Sequence, residues 1–221
     1  MLSARKRRWS TRRPTLGDSE TAQRKYLVEV AEDVFLECGY HRATMDDIAR
    51  RAGMSKKTLY VLFQGKAALF EALLTERFEP FSTPIPDEGR PMAESLCDFL
   101  TGIARLVLSP RQLALTRLMI AESPRSPQVV AALQRQTVCK GEGALETWLG
   151  RQAAQGRLSL SDSREAAAML FGMSVGQLLL EQLVQAHEPP SEADVERRIE
   201  RAVQVFLAGQ ETLQRQHRVR A

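Results

Sequence analysis

A short run of cations and hydroxyl groups that ends in apolar residues has the composition expected of a surface that binds an anionic polymer. Residues 51–63 read RAGMSKKTLYVLF, so two lysines and a tyrosine are followed at once by apolar side chains. On a helical wheel the apolar side chains of Leu59, Leu62 and Phe63 fall on one side. The opposite side is cationic and rich in hydroxyl groups, with Lys56 and Thr58 on its flanks and with Lys57, Tyr60, Val61 and Gln64 at its centre.

The basic charge of the chain is concentrated in its first third. Residues 1–66 contain 14 lysines and arginines against 8 acidic residues, whereas residues 67–221 contain 17 against 19. Six of the cations lie between Arg5 and Arg13, in a basic arm that either is a solvated tail or lies along a nucleic acid. This asymmetry indicates that the first third has an anionic partner, and nucleic acid is the commonest one.

Capping signals divide residues 21–67 into short helices. Thr44, with Asp47 three positions later, resembles a capping box, and Ser55 is a suitable N-cap for the helix that carries the cations. The predicted helices cover 21–38, a segment from Thr44 to Gly53, 56–63 and a fourth from about Lys66. Two short helices joined by a tight glycine-containing turn have the helix-turn-helix arrangement, whose second helix enters the major groove of DNA.

The remainder of the chain also has the 3.6-residue apolar period and no convincing strand, so we predict an all-α protein. A proline-rich joint at 78–91 precedes helices at 91–108, 110–122, 127–155, 163–186 and 192–216. We expect a basic arm over 1–20, a three-helix helix-turn-helix DNA-binding domain over 21–67, and a helical domain for ligand binding and dimerisation over 68–221.

The segment from residue 31 to residue 74 resembles the DNA-binding segment of the TetR family of bacterial transcriptional regulators. It reads AEDVFLECGYHRATMDDIARRAGMSKKTLYVLFQGKAALFEALL. The matching positions include Phe35, Gly39 with Tyr40, Thr44, Ala52 with Gly53, and Thr58 to Tyr60. This resemblance implies double-stranded operator DNA as the partner.

The resemblance also implies roles for individual residues near the predicted second to fourth helices. Phosphate contacts are implied for Thr44, Tyr60 and Lys66, and base-facing positions for Lys56, Lys57, Thr58 and Val61, with Ser55 beside them. Asp46 and Asp47 stand where some family members have a cation. They suit the positive end of a helix but would repel phosphate, so we exclude them as DNA contacts.

The C-terminal part resembles the AefR-type domain, and in TetR-like proteins this domain binds a small molecule and pairs two subunits. From the residues alone, Ala168, Gly172 and Gly176 are spaced by four, so one helix face is smooth enough for close approach of another helix. The crossing could be within one chain or between two. For a homodimer we expect Ala168, Gly172 and Gly176 to meet Ile199, Val203 and Phe206 of the last helix in a four-helix bundle.

A small-molecule effector would need an apolar pocket in this part of the chain. The candidate lining residues are also candidates for ordinary core, and the sequence does not name the ligand. They are Phe99, Ile103, Met119, Trp148, Phe171 and Met173.

Other functions have weaker support in the sequence. The three histidines are scattered and no catalytic or phosphate-binding motif is present, so a helical enzyme is a remote alternative and we expect neither a metal nor a cofactor. A thiol-based redox regulator would need a reactive Cys38, Cys97 or Cys139, and a nucleoid-type protein would bind DNA without sequence preference. The odd number of cysteines and the lack of an 18-residue apolar run predict a cytoplasmic protein with no membrane span.

Overall fold

The structure is a computed structural model that describes residues 19–78, 89–124, 126–127 and 143–220, and it describes the side chains of all of these except Phe78 and residues 213–220. Every regular element within these ranges is helical, which confirms the predicted all-α class. The helices are α1 (Glu20–Cys38), α2 (Met45–Ala52), α3 (Lys56–Leu62), α4 (Lys66–Phe78), α5 (Met92–Val107), α6 (Pro110–Glu122), α7 (Ala144–Ala154), α8 (Ser163–Phe171), α9 (Gln177–Leu183) and α10 (Glu192–Arg220).

The predicted helix boundaries agree with the observed ones to within a few residues wherever the structure describes both ends. One predicted helix differs from the structure in its continuity: the helix predicted at 163–186 is divided by a π-helical turn at Gly172–Gly176. The basic arm before residue 19, residues 128–142 of the predicted helix at 127–155, and most of the predicted joint at 78–91 lie outside the described residues.

Contacts divide the chain into two compact units. The N-terminal unit comprises Met1–Phe78 and Leu118–Gln136, and the C-terminal unit comprises Glu79–Arg117 and Thr137–Ala221. This division keeps α4 with the three helices that precede it. The division of the sequence into domains at residues 67 and 68 therefore stays a prediction.

The core of the N-terminal unit holds α2 and α3 against α1 and α4. Phe35, Tyr40 and Phe70 form an aromatic cluster with ring centroids 4.7–5.5 Å apart. Leu59 of α3 is fully buried, and the Arg24 guanidinium lies 4.3 Å from the centroid of the Phe63 ring. The apolar side of α3 thus packs into the core of the N-terminal unit, as the helical wheel of this segment predicted.

The C-terminal unit is built around a second core. Trp148 of α7, Leu100 of α5, Leu170 of α8 and Ile199 of α10 are all nearly or fully buried in it. At the π-helical turn, Arg198 Nε donates hydrogen bonds to the carbonyls of Met173 and Ser174 at 3.1 and 3.2 Å. The arginine therefore ties α10 to the turn that separates α8 from α9.

Among the described residues, one helical stretch that the sequence analysis did not expect, Ser163–Leu183, could span a membrane by length and composition alone. Its mean hydropathy is 1.3 over an 18-residue window. Polar residues such as Arg164, Gln177 and Glu181 interrupt the stretch, which is why no unbroken apolar run was visible. Only 28% of the window is buried, so much of its apolar surface is exposed in the single chain.

Candidate nucleic-acid interface

Helices α2 and α3 are both held at their N-termini by side-chain caps. The Thr44 hydroxyl accepts a hydrogen bond from Asp47 N at 3.1 Å, and the Asp47 carboxylate accepts one from Thr44 N at 3.2 Å. Ser55 Oγ accepts from Thr58 N at 3.0 Å and so starts α3. These bonds satisfy helix N–H groups that otherwise lack partners, and they determine where α2 and α3 begin.

The outer side of α3 is open to solvent. Tyr60 is 52% exposed and Val61 76%, although both are large and partly or wholly apolar. The side chains of Lys56 and Lys57 are exposed as well, whereas Leu59 and Leu62 are buried. The structure thus brings together the α3 residues that the sequence predicted for DNA contact, together with Ser55, and leaves Thr58 half-buried beside them.

Two carboxylates of α2 have structural roles that explain their presence on this side of the unit. Asp46 forms an ion pair with Lys56, and Asp47 pairs with Arg50 as well as completing the capping box. Hydrogen bonds from Thr44 hold the pKa of the Asp47 carboxyl below its ordinary value. The pair between Asp46 and Lys56 was not predicted, because the two residues are ten positions apart on different helices.

Lys66, at the start of α4, is directed into the protein. Its ammonium donates hydrogen bonds to the backbone carbonyls of Tyr40, His41 and Ala43 at 2.8, 3.1 and 2.9 Å, and it lies 4.6 Å from the centroid of the Tyr40 ring. Burial lowers the pKa of this ammonium, and the charge of Glu122 partly opposes the change. All three ammonium donors are engaged, so a phosphate contact by Lys66 stays a prediction that requires some of these bonds to break.

We expect replacement of Lys66 by methionine to lower the free energy of unfolding by about 1–3 kcal/mol, because three carbonyls lose their donor. Operator affinity should fall for all DNA sequences alike, since the loop that precedes Thr44 would lose its anchor. Urea denaturation followed by circular dichroism measures the first effect. A Lys66→Met protein with unchanged stability and uniformly weaker DNA binding would instead favour a direct phosphate contact.

Glu122, the last residue of α6, lies beside this lysine within the N-terminal unit. One of its carboxylate oxygens is 2.8 Å from the position that a Cβ atom would occupy on Gly39, so a side chain at that position would collide with it. The other oxygen, Oε2, has no hydrogen-bond partner among the described residues. Burial, and then the charge of Glu122, raise the pKa of Tyr40.

Arg42 is a candidate contact that the sequence analysis missed. It is exposed, precedes the N-cap Thr44 by two residues, and donates from Nε to the Cys38 carbonyl at 2.8 Å. Arg51, in contrast, is held by Glu37, with 2.9 Å between Nη1 and Oε1. A cation immediately before a capped helix is the signal that could have identified Arg42.

The predicted ligand-binding residues fall into both units. Phe99 and Trp148 are buried in the core of the C-terminal unit, Ile103 and Phe171 pack against it half-buried, and Met173 is 37% exposed. Met119 is buried and belongs to the N-terminal unit by its contacts. A surface cleft of about 220 Å³ in the C-terminal unit is lined by other residues, among them Thr101, Leu108 and Val195.

The predicted dimer residues also fall into two groups. Ala168 and Gly172 are exposed and Gly176 is half-buried. Ile199, Val203 and Phe206 are buried in the core of their own chain, at 0–6% exposure. Among the described side chains of α10, Val205 is a large apolar one that faces outward, at 56% exposure.

The described cysteines do not favour the thiol-based alternative. Burial raises the pKa of the Cys97 thiol, and the nearby carboxylates of Glu200 and Asp98 raise it further, so its reactive thiolate is disfavoured. Cys38 donates from Sγ to the Val34 carbonyl at 3.1 Å. Cys139 lies outside the described residues, and among those described no group of three or more histidines, cysteines or acids could hold a metal ion.

The capped α2, the tight turn and the exposed cationic α3 define a helix-turn-helix DNA-binding protein. Comparison with known families specifies the class further. The family model of the bacterial regulatory proteins of the tetR family matches residues 27–73, and that of the AefR-like transcriptional repressor C-terminal domain matches residues 94–209. Since the second match alone covers more than half of the chain, the protein belongs to the TetR family and is a DNA-binding transcriptional regulator.

Individual relatives agree with this assignment. The chain is 48% identical over 52 residues to the transcriptional activator FasR of Mycolicibacterium smegmatis, a match that covers 24% of each protein. It is 29% identical over 117 residues to the transcriptional regulator UidR of Escherichia coli, over 51% of this chain and 58% of UidR. The matches thus span about a quarter and about three fifths of these relatives.

Solved structures resemble nearly the whole of the described fold. A structure named Flavonoid-responsive Regulator FrrA is 27% identical, with a TM-score of 0.73, and the match covers 84% of this chain and 95% of that one. A TetR-family regulator from Mesorhizobium loti has a TM-score of 0.75 over 86% and 98% of the two chains, and at 24% identity it shows the fold alone. TetR-type regulators are not enzymes as a class.

Proposed function

We propose that this protein is a cytoplasmic homodimeric repressor that binds a palindromic operator and is released from it by a small-molecule ligand. The observation that carries the proposal is the outer side of α3, where Lys57, Tyr60 and Val61 are exposed on a helix fixed by its caps and its buried face. Exposed lysine beside tyrosine and valine suits guanine acceptors, phosphates and thymine methyls respectively. Thr44, Ser55, Lys56, Thr58 and Lys66 remain proposed contacts around this centre.

The requirement for two subunits follows from the size of the reading surface. A helix as short as α3 reads only a few base pairs, whereas two copies related by a twofold axis read half-sites about 34 Å apart or a multiple of that distance. Apolar surface for such pairing is available on the 163–184 stretch, where Met169, Leu180 and Val184 are each more than half exposed. Exposed apolar surface of this kind is typical of an interaction site.

Small residues accompany this apolar surface. A Cβ atom on Gly172 would meet nothing within 4 Å in the single chain, so this part of the helix is free to approach another helix closely. We propose that Ala168, Gly172 and Gly176 pack against α10 of a second subunit. Because Ile199, Val203 and Phe206 are buried by their own chain, they would support α10 from within, and the contact itself would use the side that exposes Val205.

Release by a ligand is supported by the C-terminal match and by the relatives. The matched C-terminal model is described as that of a transcriptional repressor, and FrrA is named as responsive to flavonoids. FasR is named as an activator, but its match covers only 52 residues. A ligand that binds better to the form whose two α3 helices are misplaced for successive grooves would release the DNA.

The direct test of the function is a gel-shift titration with DNA from upstream of the protein's own gene. We expect binding that survives an excess of random DNA at physiological salt, because a specific regulator prefers its site by a factor of about 10³ or more. Equal competition by random DNA would contradict sequence-specific regulation and would favour a nonspecific DNA-binding protein.

Replacement of Lys57 by alanine should weaken operator binding by about 1–3 kcal/mol and relax the preference at one base pair, if the lysine reads a base edge. The reason is that Lys57 lies on the exposed side of α3 and has no ion pair among the described residues. The matched control is Arg151→Ala, which removes an exposed cation from α7. Equal operator affinity for the Lys57→Ala protein and the native protein would remove Lys57 from the site.

A further inference from the structure

Helix α7 carries two buried N–H donors that have no acceptor. Trp148 and Gln152 are each 1% exposed, and in the part of the chain that the structure describes neither Trp148 Nε1 nor Gln152 Nε2 has a hydrogen-bond partner. The two residues are four positions apart on one helix, so their side chains are neighbours on the same face. Two unpaired donors therefore lie on one face of α7, buried within the C-terminal unit.

The orientation of the Gln152 amide is fixed by its other end. Gln152 Oε1 accepts a hydrogen bond from Arg157 Nη1 at 3.1 Å, so the oxygen is identified by its donor and the NH₂ group is the end without a partner. Rotation of the amide would place two donors against each other. The free NH₂ group is thus a consequence of the structure around Gln152.

Such donors are costly unless something supplies an acceptor. A buried N–H group that leaves water without a new hydrogen bond destabilises the fold, and an apolar side chain of similar size would be more stable at the same position. Phenylalanine and leucine would fill these two positions in a core that already contains Leu145 and Leu149 of the same helix. Each buried unpaired group in a native protein needs an explanation, and a bound molecule that supplies an acceptor is one.

The side chains around Trp148 indicate how polar a bound molecule could be. The cluster that contains Trp148 is made of aliphatic and aromatic residues, and Ile103 and Phe171 pack against it only half-buried. A molecule that entered between such side chains would be largely apolar. Gln112, in the same unit, is 5% exposed, and its Nε2 also has no partner among the described residues.

We propose that the effector of this regulator is an apolar small molecule with a hydrogen-bond acceptor, and that Trp148 Nε1 and Gln152 Nε2 donate to that acceptor. A single carbonyl or carboxylate oxygen has two lone pairs and can accept from both donors. This inference rests on the proposed ligand-controlled function. It adds the class of the ligand and the two residues that orient it.

Probes with matched apolar bodies test the class of ligand. The acceptor-bearing probes are nonanoate, methyl nonanoate and acetophenone, and the donor-only probes of the same shapes are nonylammonium and phenethylammonium. We expect the acceptor-bearing probes to raise the melting temperature of the full chain and the donor-only probes to leave it unchanged. A comparison of nonanoate with methyl nonanoate distinguishes a carboxylate from a neutral carbonyl, and equal shifts for all five probes would overturn the proposal.

The fluorescence of Trp148 reports whether binding occurs at this site. The chain contains two tryptophans, so in a Trp9→Phe protein the emission comes from Trp148 alone. We expect the acceptor-bearing nonyl probes to shift this emission to the red, because the indole N–H gains a hydrogen bond. A melting shift without any change in the Trp148 emission would place the probes elsewhere and would contradict the proposal.

Gln152→Leu separates a ligand-binding role from a structural one. We expect this variant to melt at the same temperature as the native protein or higher, and to bind the acceptor-bearing probes at least about fivefold more weakly. The matched control is Gln182→Leu, because Gln182 is also buried, at 7% exposure, but donates to the carbonyls of His187 and Glu188 at 3.4 and 3.2 Å. That control should melt at a lower temperature and keep its affinity for the probes.

Two outcomes would contradict the assignment of Trp148 and Gln152 as donors to the effector and would leave the proposed regulatory function unaffected. If Gln152→Leu lowered the melting temperature as much as Gln182→Leu, the loss would exceed that of the single bond from the exposed Arg157, and Gln152 Nε2 would already have an acceptor such as a buried water. If it left probe affinity unchanged, Gln152 would not contact the ligand. Failure of the proposed function is recognised separately, by the absence of specific operator binding in the gel-shift titration.

Discussion

Replacement of Gly172 by arginine is expected to turn the proposed dimer into a monomer that keeps its fold and binds the operator about 100- to 10,000-fold more weakly, since linkage of two reading helices contributes a factor of that size. The position tolerates a side chain within the single chain, because a Cβ atom there would meet nothing within 4 Å and the backbone has the ordinary helical φ of −58°. Helix propensity also favours arginine over glycine. A charged side chain in a close helix–helix contact, however, would keep two subunits apart.

Light scattering after size-exclusion chromatography, together with the gel-shift titration, measures both effects of Gly172→Arg. The control is Ala154→Arg, which places the same side chain on an exposed position of α7. It should leave both the molecular mass and the operator affinity unchanged. A Gly172→Arg protein that remained a dimer with native affinity would exclude the 163–184 stretch as the pairing surface.

Replacement of Arg77 by alanine is expected to lower the free energy of unfolding by about 3–5 kcal/mol, because it leaves a buried carboxylate without its cation. Arg77 of α4 donates from Nε and Nη2 to the Glu32 carboxylate of α1 at 3.0 and 2.9 Å. The Glu32 side chain is 1% exposed and that of Arg77 is 17% exposed. Glu76 lies beside them, with 3.9 Å between its Oε2 and Arg77 Nη1; burial raises the pKa of its carboxyl, and the charges of Arg77 and Lys25 partly oppose that change.

Urea denaturation at a fixed protein concentration measures this loss, since pairing of subunits also affects the midpoint. Arg50→Ala is the control in the same unit, because the pair between Arg50 and Asp47 is largely exposed and should contribute about 0–1 kcal/mol. A double variant with methionine at Glu32 and Arg77 should recover much of the stability. If Arg77→Ala cost no more than Arg50→Ala, the buried pair would not hold α1 to α4.

The helices and their ends could be predicted because they depend on local rules. A period of 3.6 residues identifies a buried stripe, and Thr44, Ser55 and Gly53 mark ends through bonds to residues three or four positions away. The residues on the solvent-exposed side of α3 could be predicted from a helical wheel, which depends on the same period. Within residues 56–62 the sequence therefore predicted both the helix and its exposed face.

The contacts that could not be predicted join residues far apart in the sequence. Lys66 donates to carbonyls 23–26 positions earlier, and Glu122 approaches Gly39 from a different helix. Periodicity also does not say which element covers a stripe. Ile199, Val203 and Phe206 form a clear stripe, but the residues that bury them belong to their own chain, so sequence alone could not separate core from interface.

The ion pairs around α3 also determine how the protein should respond to salt. Lys56 is paired with Asp46, Arg50 with Asp47 and Arg51 with Glu37. Contact of such a cation with phosphate exchanges one anionic partner for another and displaces fewer condensed counterions than the number of cations suggests. The affinity of the described N-terminal residues for DNA should therefore depend less on ionic strength, and more on base recognition, than their basic composition implies.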